Sequence, residues 1–301
     1  RFGPPTKRTT PAGSGEASSS PSASERAASS SPSAAPASER AASGTTGGAV
    51  LAFSTQEKEQ LEFKVAISYI SVAQARVNLA ADAPGWDFDG LRKRTEDMWE
   101  ALLQRVRVQG GAPKHRVIFY SGLYHSMLAP TLMSEAGGRY MGFDGRVHTA
   151  DGFRFYSDMS LWDTFRTLHP LLVLIAPGYQ RDFIVSMLAM AEQGGYLPKW
   201  PARLNYSNCM VSSPADSVIA DSYLKGIRDF DTGRAYEEMK ETAMGPTKDS
   251  KYGGREGIAD YIKYGYIPAD LHGGSPVSET LEHAFHDFAI AQMAKALGRD
   301  D

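Results

Sequence analysis

The sequence contains few of the features that mark specialised classes of protein. It has one cysteine in 301 residues, Cys209, so no intrachain disulfide can form, and a cysteine-based zinc site would need three other ligands. The longest apolar run, residues 171–176, is far shorter than the roughly 18 residues of a membrane-spanning helix. We therefore expect no membrane span.

Neither sign of charge dominates. The chain has 32 Lys and Arg against 35 Asp and Glu, a formal net charge of −3, which does not favour a nucleic-acid partner. Glycine-rich phosphate-binding runs are missing, as is the Gly-x-Ser-x-Gly turn of serine hydrolases. These absences argue against a nucleotide-binding protein and against that class of esterase.

Residues 1–50 differ in composition from the rest. They hold 12 Ser and 11 Ala, no Leu or Ile and one aromatic residue, Phe2, so they cannot bury enough apolar surface to offset the entropy of ordering. Residues 23–29 recur as 37–43, as in low-complexity sequence. We predict a disordered segment, with a glycosylated or phosphorylated stalk as the alternative. The chain begins at Arg1 and no signal peptide is visible, so the sequence does not predict the cellular compartment.

The next stretch predicts one strand and two connecting helices. Residues 63–70 alternate apolar with small or polar residues and are rich in β-branched and aromatic types, which predicts a strand. Ser71 is a suitable N-cap for a helix over 72–81, and a second helix is predicted over 88–108. Residues 87–90 begin like a calcium loop, but the glycine comes too early and no glutamate closes the loop, so we predict a helix start.

From His115 onward the hydrophobic pattern predicts one helix after another. Long loops rich in Gly, Asp and aromatic residues separate some of them, and loops of this length are usually functional. The pattern predicts an all-α architecture, either a bundle or a toroid. The predicted helices cover 115–134, 158–176, 178–193, 214–229, 231–243, 256–264 and 276–297, and the loops cover 135–157, 194–213 and 265–275.

Two pairs of side chains on the last predicted helix have the spacing of metal ligands. Glu282 with His286, and His283 with Asp287, stand four residues apart and therefore share a helix face. Such pairs can hold a metal. No third ligand is evident nearby, which favours a helix with incidental histidines.

The loops offer a better indication of chemistry. Carboxylates lie among glycines, an indole precedes a carboxylate at a helix start, and a lysine precedes a second indole. Aromatic faces pack against the C–H faces of sugars while carboxylate, amide and ammonium groups bind hydroxyls. The pattern is compatible with a carbohydrate site, but also with core tryptophans and ordinary surface acids. The residues concerned are Asp144, Asp151, Trp162, Asp163, Lys199 and Trp200.

Seven motifs in order resemble glycoside hydrolase family 92, the calcium-dependent exo-α-mannosidases. The resemblance runs from about Phe63 to Asp301, and no single motif carries it. The motifs are FYSGLYH at 119–125, GRYMGFDG at 138–145, SLWDT at 160–164, LHPL at 168–171, GGYLPKWP at 194–201, NCM at 208–210 and SETLE at 278–282.

The resemblance implies a fold and an activity. It implies an (α/α)6 toroid after an N-terminal β-sandwich, and removal of terminal α-mannose, often α-1,2-linked, with inversion and with a calcium ion on the mannose hydroxyls. The fold class that we predict is thus all-α where ordered: an incomplete toroid (113–301) preceded by a remnant strand and linker helices (51–112) and a disordered segment (1–50). α-Mannoside glycans are the implied partners.

The resemblance also implies which site residues this chain contains. Inversion needs a general acid and a general base, which we expect beyond Asp301 together with the calcium ligands, so no catalytic residue is assigned and the chain alone is expected to be inactive. The predicted substrate-binding residues are Trp162, Asp163, Lys199, Trp200 and Asn208. Residues that could line the site are Asp144, Asp151, Glu282 and Asp287. The rival hypotheses are an (α/α)6 glucosidase that uses Glu282 or Asp163, and a non-catalytic carbohydrate-binding or scaffold protein.

Overall fold

The residues that the structure describes, 53–245 and 254–299, are rich in helix. The structure is a computed structural model. The segment predicted to be disordered, 1–50, lies outside the described residues. The helices are α1 (Val72–Asp82), α2 (Phe88–Leu103), α3 (Pro113–His125), α4 (Leu161–Thr164), α5 (Leu168–Ile175), α6 (Pro177–Gly194), α7 (Pro214–Leu224), α8 (Thr232–Met244), α9 (Ile258–Tyr264) and α10 (Pro276–Leu297).

Three short antiparallel strand pairs lie within or beside the predicted loops. The pairs are β1 (Thr131–Leu132) with β4 (Tyr156–Ser157), β2 (Arg139–Met141) with β3 (Val147–Thr149), and β5 (Pro201–Ala202) with β6 (Asn205–Tyr206). Their registers pair Thr131 with Ser157, Tyr140 with His148, and Pro201 with Tyr206. The prediction of a helix-rich chain is confirmed, and these strands were not predicted.

The chain divides into two compact units, Arg1–Glu59 and Gln60–Asp301. In the first unit the described residues form a turn in which the backbone N–H of Gln56 donates to the Glu59 carboxylate over 2.8 Å. The second unit contains all the helices and strands named above. The domain boundaries predicted after residues 50 and 112 remain predictions.

The predicted strand at 63–70 is wrong. These residues have no regular secondary structure, and Val65 and Ile67 are largely exposed. An extended segment becomes a strand only through a ladder of hydrogen bonds. Instead, the carboxylate of Glu135 accepts hydrogen bonds from the Ser68 hydroxyl (2.6 Å) and the Tyr69 backbone N–H (2.8 Å).

Several helix ends differ from the predictions. The helix predicted over 88–108 ends at Leu103, and the one predicted over 115–134 ends at His125. The segment predicted as one helix over 158–176 forms two, α4 and α5. Pro170 is the third residue of α5, and because proline is tolerated only in the first turn, a new helix begins there.

Both predicted helix starts near the N-terminal end of this unit are confirmed. The Ser71 hydroxyl accepts a hydrogen bond from the Gln74 N–H over 3.1 Å at the start of α1. The Asp87 carboxylate accepts one from the Gly90 N–H over 2.8 Å at the start of α2. Residues 87–90 therefore cap a helix, as predicted.

The hydrophobic core lies among α5, α6, α7, α8 and α10. Helix α10 packs on α7 and α8, and α6 packs on α5, α7 and α8. Fully buried side chains from these helices and the preceding loop fill the space between them, among them Phe155, Ile184, Met190, Ile219, Met239 and Met293. Within the described residues, no helix has the length and apolarity to cross a membrane.

Candidate functional site

Two hydrogen bonds join the loop before α4 to the β5–β6 hairpin. The N–H of Met159 donates to the carbonyl of Pro201 over 3.2 Å, and the N–H of Arg203 donates to the Asp158 carboxylate over 2.8 Å. The first loop leads directly into Trp162 and Asp163, and the hairpin follows Lys199 and Trp200. The structure thus places the two predicted sugar-binding segments on neighbouring parts of the fold.

The hairpin is held close to helix α6 by Tyr206. Its hydroxyl lies 2.7 Å from the carbonyl oxygens of both Met190 and Tyr196. A Cβ atom on Gly194 would lie 2.3 Å from the Tyr206 ring. Glycine at 194 is therefore required for the ring to reach these carbonyls, which explains the first glycine of the GGYLPKWP motif.

Trp162 lies half-buried in the short helix α4. The guanidinium of Arg166 lies 4.6 Å from the centroid of its ring, within cation–π range. The indole Nε1 is shielded from solvent and has no hydrogen-bond partner among the described residues. Because a buried indole N–H normally finds an acceptor, this donor is available to one that the described residues do not provide.

Asp163 lies in the first turn of α4 and is exposed. Its backbone N–H donates to the Ser160 carbonyl over 3.0 Å. Within the described part of the chain its carboxylate takes part in no hydrogen bond or ion pair. This carboxylate is free to accept hydrogen bonds from hydroxyl groups of a ligand.

Lys199 is a buried cation with few partners. Its side chain is 7% exposed, and its Nζ lies 3.4 Å from Oε1 of Glu256, which is itself 62% exposed. Burial, and then the charge of Glu256, raises the pKa of the nearby Glu279 carboxyl. An ammonium has three donors, so a single long hydrogen bond leaves Lys199 able to donate to a ligand.

Trp200 and Asn208 lie at either end of the hairpin segment. The carbonyl of half-buried Trp200 accepts hydrogen bonds from the Ser207 N–H (3.1 Å) and hydroxyl (2.8 Å). Asn208 is exposed, and its backbone has a φ of 52°, a left-handed conformation that asparagine tolerates better than most residues. The two residues are thus joined by a tight connection through Ser207.

Asp144 occupies a different place. It lies in the β2–β3 hairpin, where its carboxylate accepts a hydrogen bond from the Arg146 N–H (2.9 Å) and lies 3.0 Å from Nε2 of His148. Burial acts to raise its pKa, but these hydrogen bonds lower it overall. The cavity beside it, about 360 Å³, is lined also by Glu192 and Arg234. None of the five predicted substrate-binding residues is among its lining residues. Asp151 lies exposed two residues after the end of β3.

Glu282 of helix α10 reaches the turn that follows α4. Its Oε1 accepts a hydrogen bond from Arg166 over 2.7 Å, and its Oε2 lies 3.5 Å from Nε2 of His286. The contact with His286, followed by the hydrogen bond from Arg166, lowers the pKa of the Glu282 carboxyl against the effect of burial. His286 shares a 2.7 Å hydrogen bond with Ser217 of α7. Glu282 and His286 therefore make the predicted i,i+4 contact, within a network that joins α10 to α7 and to the turn after α4.

His283 and Asp287 do not pair with each other. His283 donates from Nε2 to the carbonyl of Glu256 over 3.0 Å and accepts from the Ser212 hydroxyl at Nδ1 over 2.8 Å. Asp287 accepts hydrogen bonds from Arg255 and Tyr261. His283 and Asp287 thus both contact the loop that contains Arg255 and Glu256, rather than each other.

Arg255 is the centre of a buried ionic cluster that sequence reasoning missed. Its guanidinium is 1% exposed and lies between Asp216 (3.2 Å) and Asp287, with the Ser213 hydroxyl 2.8 Å from Nε. Burial raises the pKa of Asp216 to about 7, against the charge of Arg255. No spacing in the sequence predicts this cluster, because its members come from three distant segments. Arg166, four residues after Trp162 and thus one turn away, carried a signal in its spacing.

The described residues contain no cluster of acidic, histidine or cysteine side chains that could hold a metal ion. Across 53–245 and 254–299, no three His, Cys, Asp or Glu side chains come together in a way that could hold a metal ion. The carboxylates of Glu282 and Asp287 are engaged by arginines. We therefore assign no metal ligand in this chain.

A family model and a curated relative match this chain. The model of the glycosyl hydrolase family 92 catalytic domain matches residues 74–301. An uncharacterized secreted glycosidase of Arthroderma benhamiae is 26% identical over 259 residues, which cover 82% of this chain and 29% of the relative.

Two solved structures from Bacteroides thetaiotaomicron have similar folds. The family GH92 α-mannosidase BT3965, in complex with mannoimidazole, is 36% identical, with a TM-score of 0.72 over 78% of this chain and 30% of its own. The family GH92 inverting mannosidase BT2199 is 31% identical, with a TM-score of 0.72 over 78% of this chain and 32% of its own. This chain thus spans about 30% of the length of these relatives. Because the family model matches well over half of the chain, the chain belongs to glycosyl hydrolase family 92.

Proposed function

We propose that this chain forms part of the catalytic domain of an inverting, calcium-assisted α-mannosidase and supplies part of its mannose-binding wall. Both solved relatives named above are mannosidases, one is an inverting enzyme, and one holds the mannose-like inhibitor mannoimidazole. The described helices then belong to an incomplete (α/α)6 toroid, and α-mannoside glycans are the substrates.

The observation that carries the proposal is the set of unused polar groups on α4. The Trp162 indole N–H is buried without an acceptor, and the Asp163 carboxylate is exposed without a donor, among the described residues. A hexose presents apolar C–H faces beside hydroxyls that both donate and accept. The side chains of Trp162 and Asp163 match that combination.

Lys199 extends the wall from the neighbouring segment. Its buried ammonium retains donors that Glu256 does not use. A buried cation is stabilised when it gains hydrogen-bond acceptors, and sugar hydroxyl oxygens provide them. Trp200 and Asn208, joined through Ser207, complete the proposed contact surface.

The chemical step needs further groups. An inverting glycosidase uses one carboxylic acid to protonate the leaving oxygen and a second carboxylate to activate water on the opposite face of the ring. We assign neither role in this chain and propose that both carboxylates, with the calcium ligands, come from other parts of the whole protein. Calcium, which prefers oxygen ligands, would bind mannose hydroxyls there.

The experiment is a calorimetric titration of the 301-residue chain with methyl α-mannoside. Methyl α-glucoside is the matched control. We expect saturable mannoside binding that exceeds glucoside binding and does not require calcium. Absence of binding to either sugar would contradict the proposed wall. Preferential glucoside binding would favour a glucosidase.

Hydrolysis assays distinguish the remaining alternatives. We expect no turnover of aryl α-mannosides by this chain alone. Turnover that EDTA abolishes would show that acid, base and calcium ligands are all present in it, against the proposal. In a protein carrying this chain together with the rest of the relatives' length, we expect β-mannose as the first product by NMR. Sugar binding with no hydrolysis there would favour the binding-protein alternative.

A further inference from the structure

Arg166 contacts Trp162, Phe165 and Glu282 with one side chain. Its Nε donates to the Trp162 carbonyl over 3.1 Å. Its guanidinium carbon lies 4.6 Å from the Trp162 ring centroid and 4.5 Å from that of Phe165. Its Nη2 donates to Oε1 of Glu282 over 2.7 Å. One side chain thus touches the backbone and the ring of Trp162 and also helix α10.

The acceptor on α10 is itself held in place. The Glu282 side chain is 16% exposed, and His286 beside it is fully buried and hydrogen-bonded to Ser217. The Phe165 ring lies edge-on to His286, with centroids 5.2 Å apart. Glu282 is therefore a rigid point of attachment rather than a mobile surface acid.

We propose that Arg166 is a positioning residue, which fixes the indole of Trp162 against α10 through Glu282 and so sets the orientation of the wall on which mannose packs. The inference rests on the proposed function for its ligand, but the tie between Arg166, Trp162 and Glu282 can be tested without one. Arginine suits this place because its planar group stacks on rings while its N–H groups bind a carboxylate.

Arg166 and Glu282 differ in how directly they contact Trp162. Glu282 touches Arg166 and His286, whereas Arg166 contacts Trp162 directly. Glu282→Gln removes the carboxylate charge but leaves a neutral amide oxygen that can accept a weaker hydrogen bond from Arg166. Arg166→Met removes both the hydrogen bond to Glu282 and the cation over the indole. We therefore expect the arginine substitution to perturb Trp162 more than the glutamate substitution does.

The experiment records the indole N–H resonances of the ¹⁵N-labelled chain. The four tryptophans are Trp86, Trp99, Trp162 and Trp200, and Trp162→Phe assigns the relevant signal. In Arg166→Met we expect the Trp162 signal to shift and broaden while the signals of Trp86 and Trp99 keep their positions. Glu282→Gln should give a smaller shift in the same signal.

Arg299 provides a matched control. It donates to Glu237 over 2.6 Å and lies 5.1 Å from the Tyr236 ring centroid, so Arg299→Met removes the same kinds of contact elsewhere. We expect it to leave the Trp162 signal unchanged. An unchanged Trp162 signal in Arg166→Met, or an equal shift in Arg299→Met, would overturn the proposal. If Arg166→Met does not fold, the Trp162 signal is recorded in Arg166→Lys and Glu282→Gln instead. An unchanged signal in both would overturn the proposal.

A second measurement tests whether the contacts of Arg166 with Trp162 and Glu282 affect ligand binding. For methyl α-mannoside we expect Arg166→Met to raise Kd about tenfold, with Arg166→Lys intermediate because lysine restores charge without the planar stack. A perturbed Trp162 signal in a protein that binds no mannoside would refute the proposed function and leave the structural tie standing. An unaltered Kd beside a perturbed signal would overturn the role in positioning the wall.

Discussion

Two regions of the second unit use their apolar residues differently. In helix α6, eight side chains are buried, and in α2, of similar length, none is. Helix α2 is not poor in apolar residues, since Met98, at 74% exposure, and Trp99 lie on it. Helix α6 packs on α5, α7 and α8, whereas α2 packs mainly on α3. The difference shows that neighbours, and not composition, decide which apolar residues are buried.

At helix α1, polar contacts take the place of apolar packing. The buried residues of α1 are Gln74 and Asn78. Gln74 donates to the Ala136 carbonyl (3.0 Å), and Asn78 donates to the Glu135 carboxylate (2.8 Å). We infer that α1–α3 are the less stable region, because hydrogen bonds contribute less net stability than burial of large side chains.

The largest effect that would break this comparison is expected in the core. Phe155 is fully buried and stacks on Tyr140, with ring centroids 4.1 Å apart. We expect Phe155→Ala to lower the free energy of unfolding by about 3–5 kcal/mol through lost burial and a cavity, measured by urea denaturation. Met98→Ala on α2 should stay within about 0.5 kcal/mol of the unmodified protein. Equal losses would refute the difference between the regions.

The next effect concerns pH and His169. Burial lowers the pKa of His169 to about 4, while the unfolded chain takes up this proton near pH 6.5. Its stability contribution is therefore complete above pH 6.5 and is lost as pH falls towards 4, by up to about 3 kcal/mol. We expect His169→Asn, which keeps a donor towards Gln180, to lose less stability between pH 7 and pH 4.5.

The pH experiment has an internal reference. Burial also lowers the pKa of His283 to about 4, so a slope of the same sign persists in His169→Asn. Unfolding midpoints at the two pH values, compared between variant and parent, isolate the contribution of His169. Identical pH dependence in both proteins would show that His169 is not held neutral in the core.

A smaller effect tests the polar attachment of α1. Glu135 accepts hydrogen bonds from Ser68, Tyr69 and Asn78. We expect Glu135→Ala to reduce amide-exchange protection in α1 by about 1–3 kcal/mol while α6 amides keep theirs. Equal loss of protection in α1 and α6 would mean that the two regions unfold together.

Local signals predicted the helices well where the pattern and the caps agreed. Ser71 and Asp87 marked two starts, and the helices predicted at 178–193, 231–243 and 276–297 match α6, α8 and α10 closely. The prediction of a strand at 63–70 failed because alternation predicts a half-buried surface, and no strand among the described residues pairs with this segment. The short pairs β1–β4 and β5–β6 were missed because two residues are too few to show a period.

The proposed site was predictable in its parts but not in its connections. Trp162 and Asp163 stood out as an indole beside an acid early in a predicted helix, and Lys199 stood out beside a second indole in a predicted loop. The tie from Arg166 to Glu282 spans 116 residues of sequence, and the Arg255 cluster joins Ser213, Asp216 and Asp287 from three segments. Tertiary packing alone creates such contacts, so a single sequence does not reveal them.

The central claim, that Asp163 binds mannose, is tested most directly by the affinity of Asp163→Asn for methyl α-mannoside. Asp89→Asn is the matched control, since both acids lie in the first turn of a helix and share any interaction with its dipole. We expect Asp163→Asn to raise Kd about tenfold or more, as loss of a charged hydrogen bond does, and Asp89→Asn to leave it unchanged. Equal Kd values for Asp163→Asn, Asp89→Asn and the unmodified chain would contradict the account.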